Sequence, residues 1–296
     1  MLDRRAALIG GAALLLTGAS RPAAADIAAR VADLRALERH AKGRLGAYVL
    51  DPVTGVRFGW RENERFAHCS SFKMSLAAMI LANADRGEID PAEVLHWTKA
   101  DMLGVSPVTE ARIDTGLAVE DLARATLVTS DNTAANVLLR RFGGPAQLTR
   151  FWRSIGDQVS RLDRYEPELN VTPPGTELDT TTPAAMAATT AALIRGKTLS
   201  TASRAKLKAW MREVRTGRDR IRSGFPAGWE SGDKTGTGIG DTKHTYVDLA
   251  FGGPAGRAPL IVTAYFEPAR LVEPMDPVAT AALAEVGRIA AASLSA

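Results

Sequence analysis

Strand-like segments occur near both ends of this chain, and a long helical stretch separates them. Five segments have strand propensity between turn residues, at positions 44–50, 56–61, 234–237, 246–251 and 260–267. From about residue 70 to residue 222 the pattern is helical and is interrupted by loops. We therefore predict one sheet assembled from distant segments, with the middle of the chain inserted as a helical unit.

The predicted architecture is an α/β fold with two lobes. In the first lobe, an antiparallel sheet assembled from both chain termini is flanked by helices at residues 26–42 and 277–292. This lobe comprises about residues 26–68 and 215–296, and an all-helical lobe comprises about residues 69–214. Small molecules often bind in a cleft between two such units, so we expect the active site there.

The first 25 residues have the pattern of an export signal. Arg4 and Arg5 precede an apolar run at residues 6–16, and residues 23–25 are alanines suited to cleavage. The run is shorter than the roughly 20 apolar residues that span a bilayer, and the paired arginines leave the twin-arginine route open. We predict a signal peptide at residues 1–25, a catalytic domain at residues 26–296, and a periplasmic or secreted protein.

The charge distribution gives no indication of a nucleic-acid partner. Lys and Arg number 37 and Asp and Glu number 33, but three of the cations lie within the predicted signal peptide. The sequence has no basic stripe with interleaved aromatic residues, so nucleic acid is not expected to bind. The mature chain is not expected to bind a membrane. Cys69 is the single cysteine, which excludes an intrachain disulfide. A monomer that binds a small molecule is the simplest expectation.

Ser70 and Lys73 form an S-x-x-K motif at the start of a predicted buried helix. Residues 70–86 are apolar almost all round, and one helical turn puts Lys73 on the same face as Ser70. Burial lowers a lysine pKa, and a partly neutral lysine can accept the proton of a serine nucleophile. An N-cap serine and a lysine that extends to solvent fit these two residues equally well. The same spacing recurs at residues 203–206 and 231–234, but without such a helix.

Ser130-Asp131-Asn132 lies between two predicted helices at residues 119–129 and 133–142. The three side chains could act in catalysis or substrate binding. However, Ser, Asp and Asn are also the preferred N-cap residues, and capping alone explains the composition of this segment.

The segment from Arg164 to Asp179 is a long, non-periodic loop that contains prolines and Gly175. Loops of this length inside a compact domain are usually functional. Glu166 and Asn170 lie four residues apart, and a carboxylate and a carboxamide at this spacing could hold one water molecule between them. The alternative is a solvated loop with ordinary surface acids.

Lys234-Thr235-Gly236 and the following Thr237 have strand propensity, and the glycine lets a ligand approach the backbone closely. A cationic strand lined by hydroxyl groups suits an anionic acyl compound. A plain strand that enters a turn is the alternative.

Taken together and in this order, the four motifs resemble the class A serine β-lactamases. They are Ser70-x-x-Lys73, Ser130-Asp131-Asn132, Glu166-x-x-Leu169-Asn170 and Lys234-Thr235-Gly236. The resemblance extends from about residue 40 to the end of the chain and includes the order of helices and strands. It implies a β-lactam hydrolase that needs neither a metal nor an organic cofactor.

The resemblance also implies the chemical roles. Ser70 would be the acylated nucleophile, and both Lys73 and Glu166, the latter through a water molecule, are candidates for the acylation base. Ser130 would pass a proton to the leaving lactam nitrogen. Glu166 and Asn170 would position and activate the water that releases the product. A cis bond is expected between Glu166 and the proline that follows it.

The implied substrate contacts come from the helical lobe and the sheet. Asn132 would bind the acylamino side chain, and the backbone N–H groups of Ser70 and Thr237 would form an oxyanion hole. Lys234, Thr235 and Thr237 would hold the substrate carboxylate. Arg164 and Asp179 would join the two ends of the loop that carries Glu166.

The chain departs from the common family pattern at two places near the substrate. Gly104 and Val105 stand where many members place an aromatic residue, and the strand near residues 244–247 lacks the arginine that many members provide for the substrate carboxylate. Arginines at positions 218, 220 and 222 are spaced to share one face of an extended segment. We select Arg220 as the substrate-binding residue because it matches a position that some relatives use.

Two other functions remain open at this point. A penicillin-binding DD-peptidase shares the serine, lysine and Lys-Thr-Gly elements, but the pair of Glu166 and Asn170 favours a β-lactamase. A β-lactam sensor binds the antibiotic covalently without turnover, and it would need a membrane-spanning or effector partner.

Overall fold

Residues 24–272 and 274–294 are described by a computed structural model of the chain. The strands are β1 (Gly43–Leu50), β2 (Arg57–Trp60), β3 (Phe66–Ala67), β4 (Val94–Leu95), β5 (Leu117–Ala118), β6 (Thr180–Thr181), β7 (Glu230–Ile239), β8 (His244–Gly253) and β9 (Leu260–Pro268). The α-helices are α1 (Ala24–Ala41), α2 (Phe72–Asp85), α3 (Pro107–Glu110), α4 (Val119–Val128), α5 (Asn132–Arg141), α6 (Gly144–Ser154), α7 (Pro183–Arg195), α8 (Thr201–Glu213) and α9 (Pro277–Ala292). The predicted signal peptide lies outside the described residues, except for its last two alanines, with which α1 begins. Within the described ranges, no helix is both long enough and apolar enough to cross a membrane.

One antiparallel sheet is built from both ends of the chain, in the strand order β2-β1-β9-β8-β7. In β1, Ala47 lies opposite Trp60 of β2 on one side and Ala264 of β9 on the other. At the far edge β7 pairs with β8, and Thr235 lies opposite Asp248. The α/β fold that the sequence predicts is therefore confirmed.

Helices cover both faces of this sheet. α1 and α9 pack on one face, where Leu34, Leu283 and Phe266 are fully buried in a common core. α7 contacts β1 and β9 on the other face, and α8 contacts β7. Because both faces are covered, every residue of β8 is buried, and the strand has no exposed polar side of the kind seen in half-solvated sheets.

α2 is the centre of the helical region. Its residues 72–82 are all buried, and α4, α5, α6 and α8 pack around it. A helix that is surrounded on all sides has no need of a polar face, which explains its apolar sequence. Lys73 is buried in this helix without any exposed area. Because a buried charge is costly unless it is paired, Lys73 requires polar partners close by.

The loop of residues 155–179 lies beside α2, where Glu166 contacts Lys73. An ion pair joins two points within its last part, and a strand pair links its end to another segment of the chain. Arg164 Nε pairs with Asp179 Oδ2 at 2.6 Å, as predicted, and Asp179 is fully buried. β3 pairs with β6, with Phe66 opposite Thr181. The sequence did not predict this strand pair, because two residues are too few to show a periodic pattern.

Candidate active site

Ser70 lies in a 3₁₀ turn, Cys69–Ser71, that leads directly into α2. Cys69 has φ +45°, and Ser70 is partly exposed between buried neighbours. The turn lies against β7 at Gly236, where an added Cβ would stand 2.9 Å from the carbonyl oxygen of His68. A side chain at position 236 would therefore push the serine away from the strand, which explains the glycine there.

Lys73 is surrounded by acceptors. Its Nζ donates to Ser70 Oγ at 2.9 Å and to the Ser130 carbonyl oxygen at 2.8 Å. It also contacts the side-chain oxygen of Asn132 and pairs with Glu166 Oε1 at 2.9 Å. Burial lowers the pKa of Lys73, and the charge of Glu166 opposes this effect. Because Lys73 touches both Ser70 and Glu166, a proton can move between the three groups.

Glu166 completes this cluster from the loop. Its Oε1 is 3.2 Å from Ser70 Oγ, and its Oε2 accepts a hydrogen bond from the Asn170 amide. The predicted cis bond between Glu166 and Pro167 is present. Asn136 of α5 binds both backbone polar groups of Glu166. Its Nδ2 donates to the Glu166 carbonyl oxygen at 2.9 Å, and its Oδ1 accepts the Glu166 N–H at 3.0 Å. Asn136 was not predicted from the sequence, where a carboxamide within the otherwise apolar run 134–139 was the available signal.

The Ser130-Asp131-Asn132 segment caps a helix and also places side chains in the cleft. Asp131 is the N-cap of α5 and accepts the backbone N–H of Ala134 at 2.8 Å. Ser130 has φ +59°, and Asn132 Nδ2 donates to the carbonyl oxygen of Gly104 at 2.8 Å. The capping interpretation is therefore correct for Asp131, while the residues on either side of it contact Lys73.

Lys234 lies on β7 and is fully buried. Its Nζ donates to the Thr235 carbonyl oxygen at 2.7 Å and to Ser130 Oγ at 3.1 Å. Burial, together with the nearby charge of Lys73, lowers the pKa of Lys234 to about 7. Ser130 Oγ thus lies between two lysines, since Lys73 Nζ is 3.5 Å away on the other side.

The three arginines of the segment before β7 do not share a face, so that prediction was wrong. The segment is a turn followed by a 3₁₀ helix, Ile221–Gly224, and in this conformation Arg218 is exposed while Arg220 is 1% exposed. Arg222 Nη1 pairs with Asp233 at 2.9 Å.

Arg220 is held against the sheet. Its Nη1 donates at 2.8 Å to the carbonyl oxygens of both Gly236 and Val247, and its Nη2 donates to Thr237 Oγ1 at 2.7 Å. Because Nη1 and Nη2 bind these two strands, the guanidinium is not free for a bidentate contact with a carboxylate.

The predicted site residues meet at one cavity of about 290 Å³ between the helical region and β7. It is lined by Ser70, Ser130, Asn132, Asn170, Arg220, Thr235 and Thr237. Lys73, Glu166 and Lys234 are buried beneath it and contact Ser70 or Ser130. Val105 also lines the cavity and is 67% exposed, and among the described residues that line it none is aromatic.

Cys69 and His68 precede the serine, but their surroundings do not suit a nucleophile and its base. Cys69 is buried, and burial raises the pKa of its thiol, which disfavours the reactive thiolate. The His68 ring stacks on Trp152 with a centroid distance of 4.8 Å, and burial lowers its pKa to about 4. Both side chains are therefore packing residues.

Comparison with known proteins gives consistent matches. A family model described as the beta-lactamase enzyme family matches residues 29–294. Beta-lactamase L2 of Stenotrophomonas maltophilia is 44% identical over 275 residues, which cover 93% of this chain and 88% of that protein. Beta-lactamase FAR-1 of Nocardia farcinica is 47% identical over 209 residues, and the match spans 70% of this chain and 66% of that protein. The structure of an ancestral class A beta-lactamase is similar with a TM-score of 0.83 and 48% identity, covering 88% of this chain and 98% of that one.

Proposed function

The chain belongs to the class A serine β-lactamase family and is a β-lactamase, and from this premise we propose that it hydrolyses penicillins and cephalosporins through an acyl-enzyme on Ser70. The lactam carbonyl would lie in the cavity above Ser70 Oγ. The proton of Ser70 leaves to the buried pair of Lys73 and Glu166, whose atoms lie 2.9 and 3.2 Å from Ser70 Oγ. Both remain candidates for the base, since each is within hydrogen-bond distance.

Ring opening requires a proton at the lactam nitrogen. Ser130 is placed for this transfer because its Oγ lies between Lys73 Nζ and Lys234 Nζ, at 3.5 and 3.1 Å. Either lysine can restore the proton that Ser130 gives up. The positive charges on both sides also favour transient negative charge on the Ser130 oxygen.

Release of the product requires a water molecule and a base. Glu166 and Asn170 face each other beside Ser70, and they are the groups proposed to hold and activate that water. Glu166 Oε1 at 3.2 Å from Ser70 Oγ is the single observation that carries the proposal, because a carboxylate this close to the acylated oxygen can deliver water to the ester. The pair of Glu166 and Asn170 is the feature that favours a β-lactamase over a DD-peptidase.

Steady-state hydrolysis of a chromogenic cephalosporin tests the proposed function. We expect many turnovers per enzyme molecule, which distinguishes a β-lactamase from a DD-peptidase or a sensor. Consumption of a single equivalent, followed by a stable adduct, would contradict it.

We further propose that the chain is exported, acts as a monomer in the periplasm or the medium, and confers resistance to β-lactams. The export pattern of residues 1–25 supports this proposal. Expression in a susceptible host should raise the inhibitory concentration of a penicillin, and deletion of residues 2–22 should remove that protection. Protection by the deleted form would argue against export.

Arg220 is proposed to bind the substrate carboxylate through its positive charge and through Thr237, whose hydroxyl it contacts at 2.7 Å. Arg220→Ala is expected to raise KM for benzylpenicillin and to lower kcat/KM roughly tenfold or more, the effect of losing a charged hydrogen bond. The measurement is steady-state kinetics. Arg218→Ala is the matched control, because that side chain is exposed, and it should change little. Equal kinetics for both variants would refute the role of Arg220.

Lys234 leads to a prediction about pH. Because its pKa is lowered to about 7, the free enzyme loses this charge as the pH rises through that value. KM for a substrate with a carboxylate should therefore rise on the alkaline side. Lys234→Arg keeps its charge at all these pH values, and its KM should be flatter with pH. An identical pH profile in the two proteins would show that another group controls binding.

A further inference from the structure

Two carboxyl groups are buried together behind the strand that carries Lys234. Asp233 of β7 and Asp248 of β8 are both 0% exposed, and they lie on the same face of the sheet at neighbouring diagonal positions, since Asp248 is paired with Thr235. Neither residue belongs to the motifs of the active site. Because two buried carboxylates in contact repel strongly, their presence in the core needs an explanation.

The oxygens of the pair can be accounted for one by one. Asp233 Oδ1 accepts from Arg222 Nη1 at 2.9 Å, and Asp248 Oδ2 accepts from the backbone N–H of Ile221 at 3.0 Å. The other two oxygens, Asp233 Oδ2 and Asp248 Oδ1, are buried and have no donor among the described residues. A hydrogen bond between two carboxyl groups requires a proton on one of them. One shared proton satisfies both remaining oxygens.

The surrounding charges indicate which acid holds the proton. Arg222 and Lys234 act on Asp233, and Arg220 acts on Asp248. Asp233 has a direct charged hydrogen bond, whereas the donor to Asp248 is a neutral backbone group. Burial raises the pKa of both groups, and that of Asp248 lies well above its ordinary value. These contacts favour Asp233 as the ionised partner and Asp248 as the acid that carries the proton.

The pair also fixes the segment that carries Arg220. Its two donors, the Ile221 N–H and the Arg222 guanidinium, belong to the two residues that follow Arg220 in the chain. The turn before Arg220 lies equally close, because a Cβ on Gly217 would stand 1.4 Å from Asp233 Oδ2. The backbone on both sides of Arg220 is thus packed on the acid pair.

We propose that Asp233 and Asp248 share one proton and act together as a positioning unit for Arg220. The proposal rests on the substrate-binding role proposed for Arg220. The acid pair holds the backbone around Arg220 so that its guanidinium reaches Gly236, Val247 and Thr237. A second ionised carboxylate would add a buried charge next to this contact and loosen it.

Isosteric substitution at position 248 tests both parts of the proposal. In Asp248→Asn, the amide can donate to Asp233 as the shared proton does, so KM for benzylpenicillin should stay within about twofold of the wild-type value. Asp248→Leu leaves the Ile221 N–H unpaired and should raise KM roughly tenfold, as Arg220→Ala does. In the double variant Arg220→Ala, Asp248→Leu, KM should be no higher than in Arg220→Ala alone.

Infrared difference spectra at neutral pH give a readout that does not depend on activity. The wild type should contain the carbonyl band of a protonated carboxylic acid, and Asp248→Asn should lack it. The free energy of unfolding should fall as the pH rises above the ordinary carboxyl range, because the native state keeps a proton that the unfolded chain has lost. Asp248→Asn should show a flatter profile, and this test remains valid if Asp248→Leu does not fold.

Three results would overturn the proposal. Absence of the acid band would mean that the proton is not shared. An Asp248→Asn variant as impaired as Asp248→Leu would mean that a charge is needed at position 248. An Arg220→Ala variant with normal KM would remove the residue that the pair is proposed to position, whereas failure of the proposed function would instead appear as absence of turnover in the wild type.

Discussion

Ser70→Ala is expected to abolish β-lactam turnover, by on the order of 10⁴-fold or more in kcat, as is typical when a nucleophile is removed. Ser70 Oγ is the hydroxyl that contacts both Lys73 and Glu166, at 2.9 and 3.2 Å. Ser70 is partly exposed in a turn, so the loss of its hydroxyl leaves the core intact. Circular dichroism and thermal unfolding should therefore match the wild type, while hydrolysis of a chromogenic cephalosporin disappears.

Cys69→Ala is the matched control for this variant, because it changes one atom of the adjacent side chain. The thiol is buried and lies 3.7 Å from the Asn170 carbonyl oxygen, so a small loss of packing is expected and most of the activity should remain. An inactive Cys69→Ala together with an active Ser70→Ala would show that the nucleophile is misassigned.

Glu166→Ala should separate acylation from product release. Lys73 still contacts Ser70 in this variant, so a penicillin should acylate the enzyme, but the group proposed to activate water is gone. Deacylation should slow by about 10²–10⁴-fold, the usual contribution of a general base. Intact-protein mass spectrometry after mixing with benzylpenicillin should show one persistent adduct, whereas the wild type should return to its free mass.

Glu168→Ala provides the control on the same loop. Its carboxylate lies two residues away and is exposed, so this variant should deacylate like the wild type. If Glu166→Ala formed no adduct, Glu166 would be required for acylation. A persistent adduct in both variants would indicate a general effect on the loop.

Segments with a strong periodic pattern were predictable from the sequence. The three C-terminal strands, the first hairpin and α9 all lie within a few residues of their predicted limits. Their residues bury one or both faces over several turns or pleats, and this produces a periodic hydrophobic pattern in the sequence. The pairing of β3 with β6 was not predictable, because each of these strands has only two residues and so shows no periodic pattern.

Asn136 and the three arginines before β7 show why part of the site could not be predicted from the sequence. Asn136 is important only through the backbone of Glu166, which lies 30 residues later in the chain. The spacing of Arg218, Arg220 and Arg222 was interpreted for an extended segment, but the backbone turns at Gly217. Contacts between distant segments decide both cases, and local spacing carries no information about them.

The Asp131 case shows that a structural and a functional interpretation can both hold. Asp131 caps α5, and the cap fixes the turn that presents Ser130 and Asn132 to Lys73. The sequence suggested a choice between capping and chemistry. In the folded chain the cap supports the proposed chemistry.

The most direct test of the account is to locate the acyl group in Glu166→Ala after reaction with benzylpenicillin. Trypsin cleaves after Arg65 and Lys73, so residues 66–73 form one peptide that contains Cys69, Ser70 and Ser71. Tandem mass spectrometry of this peptide should place the whole added mass on Ser70. An adduct on Cys69 or Ser71, or on a peptide from another part of the chain, would contradict the proposal that Ser70 opens the β-lactam ring.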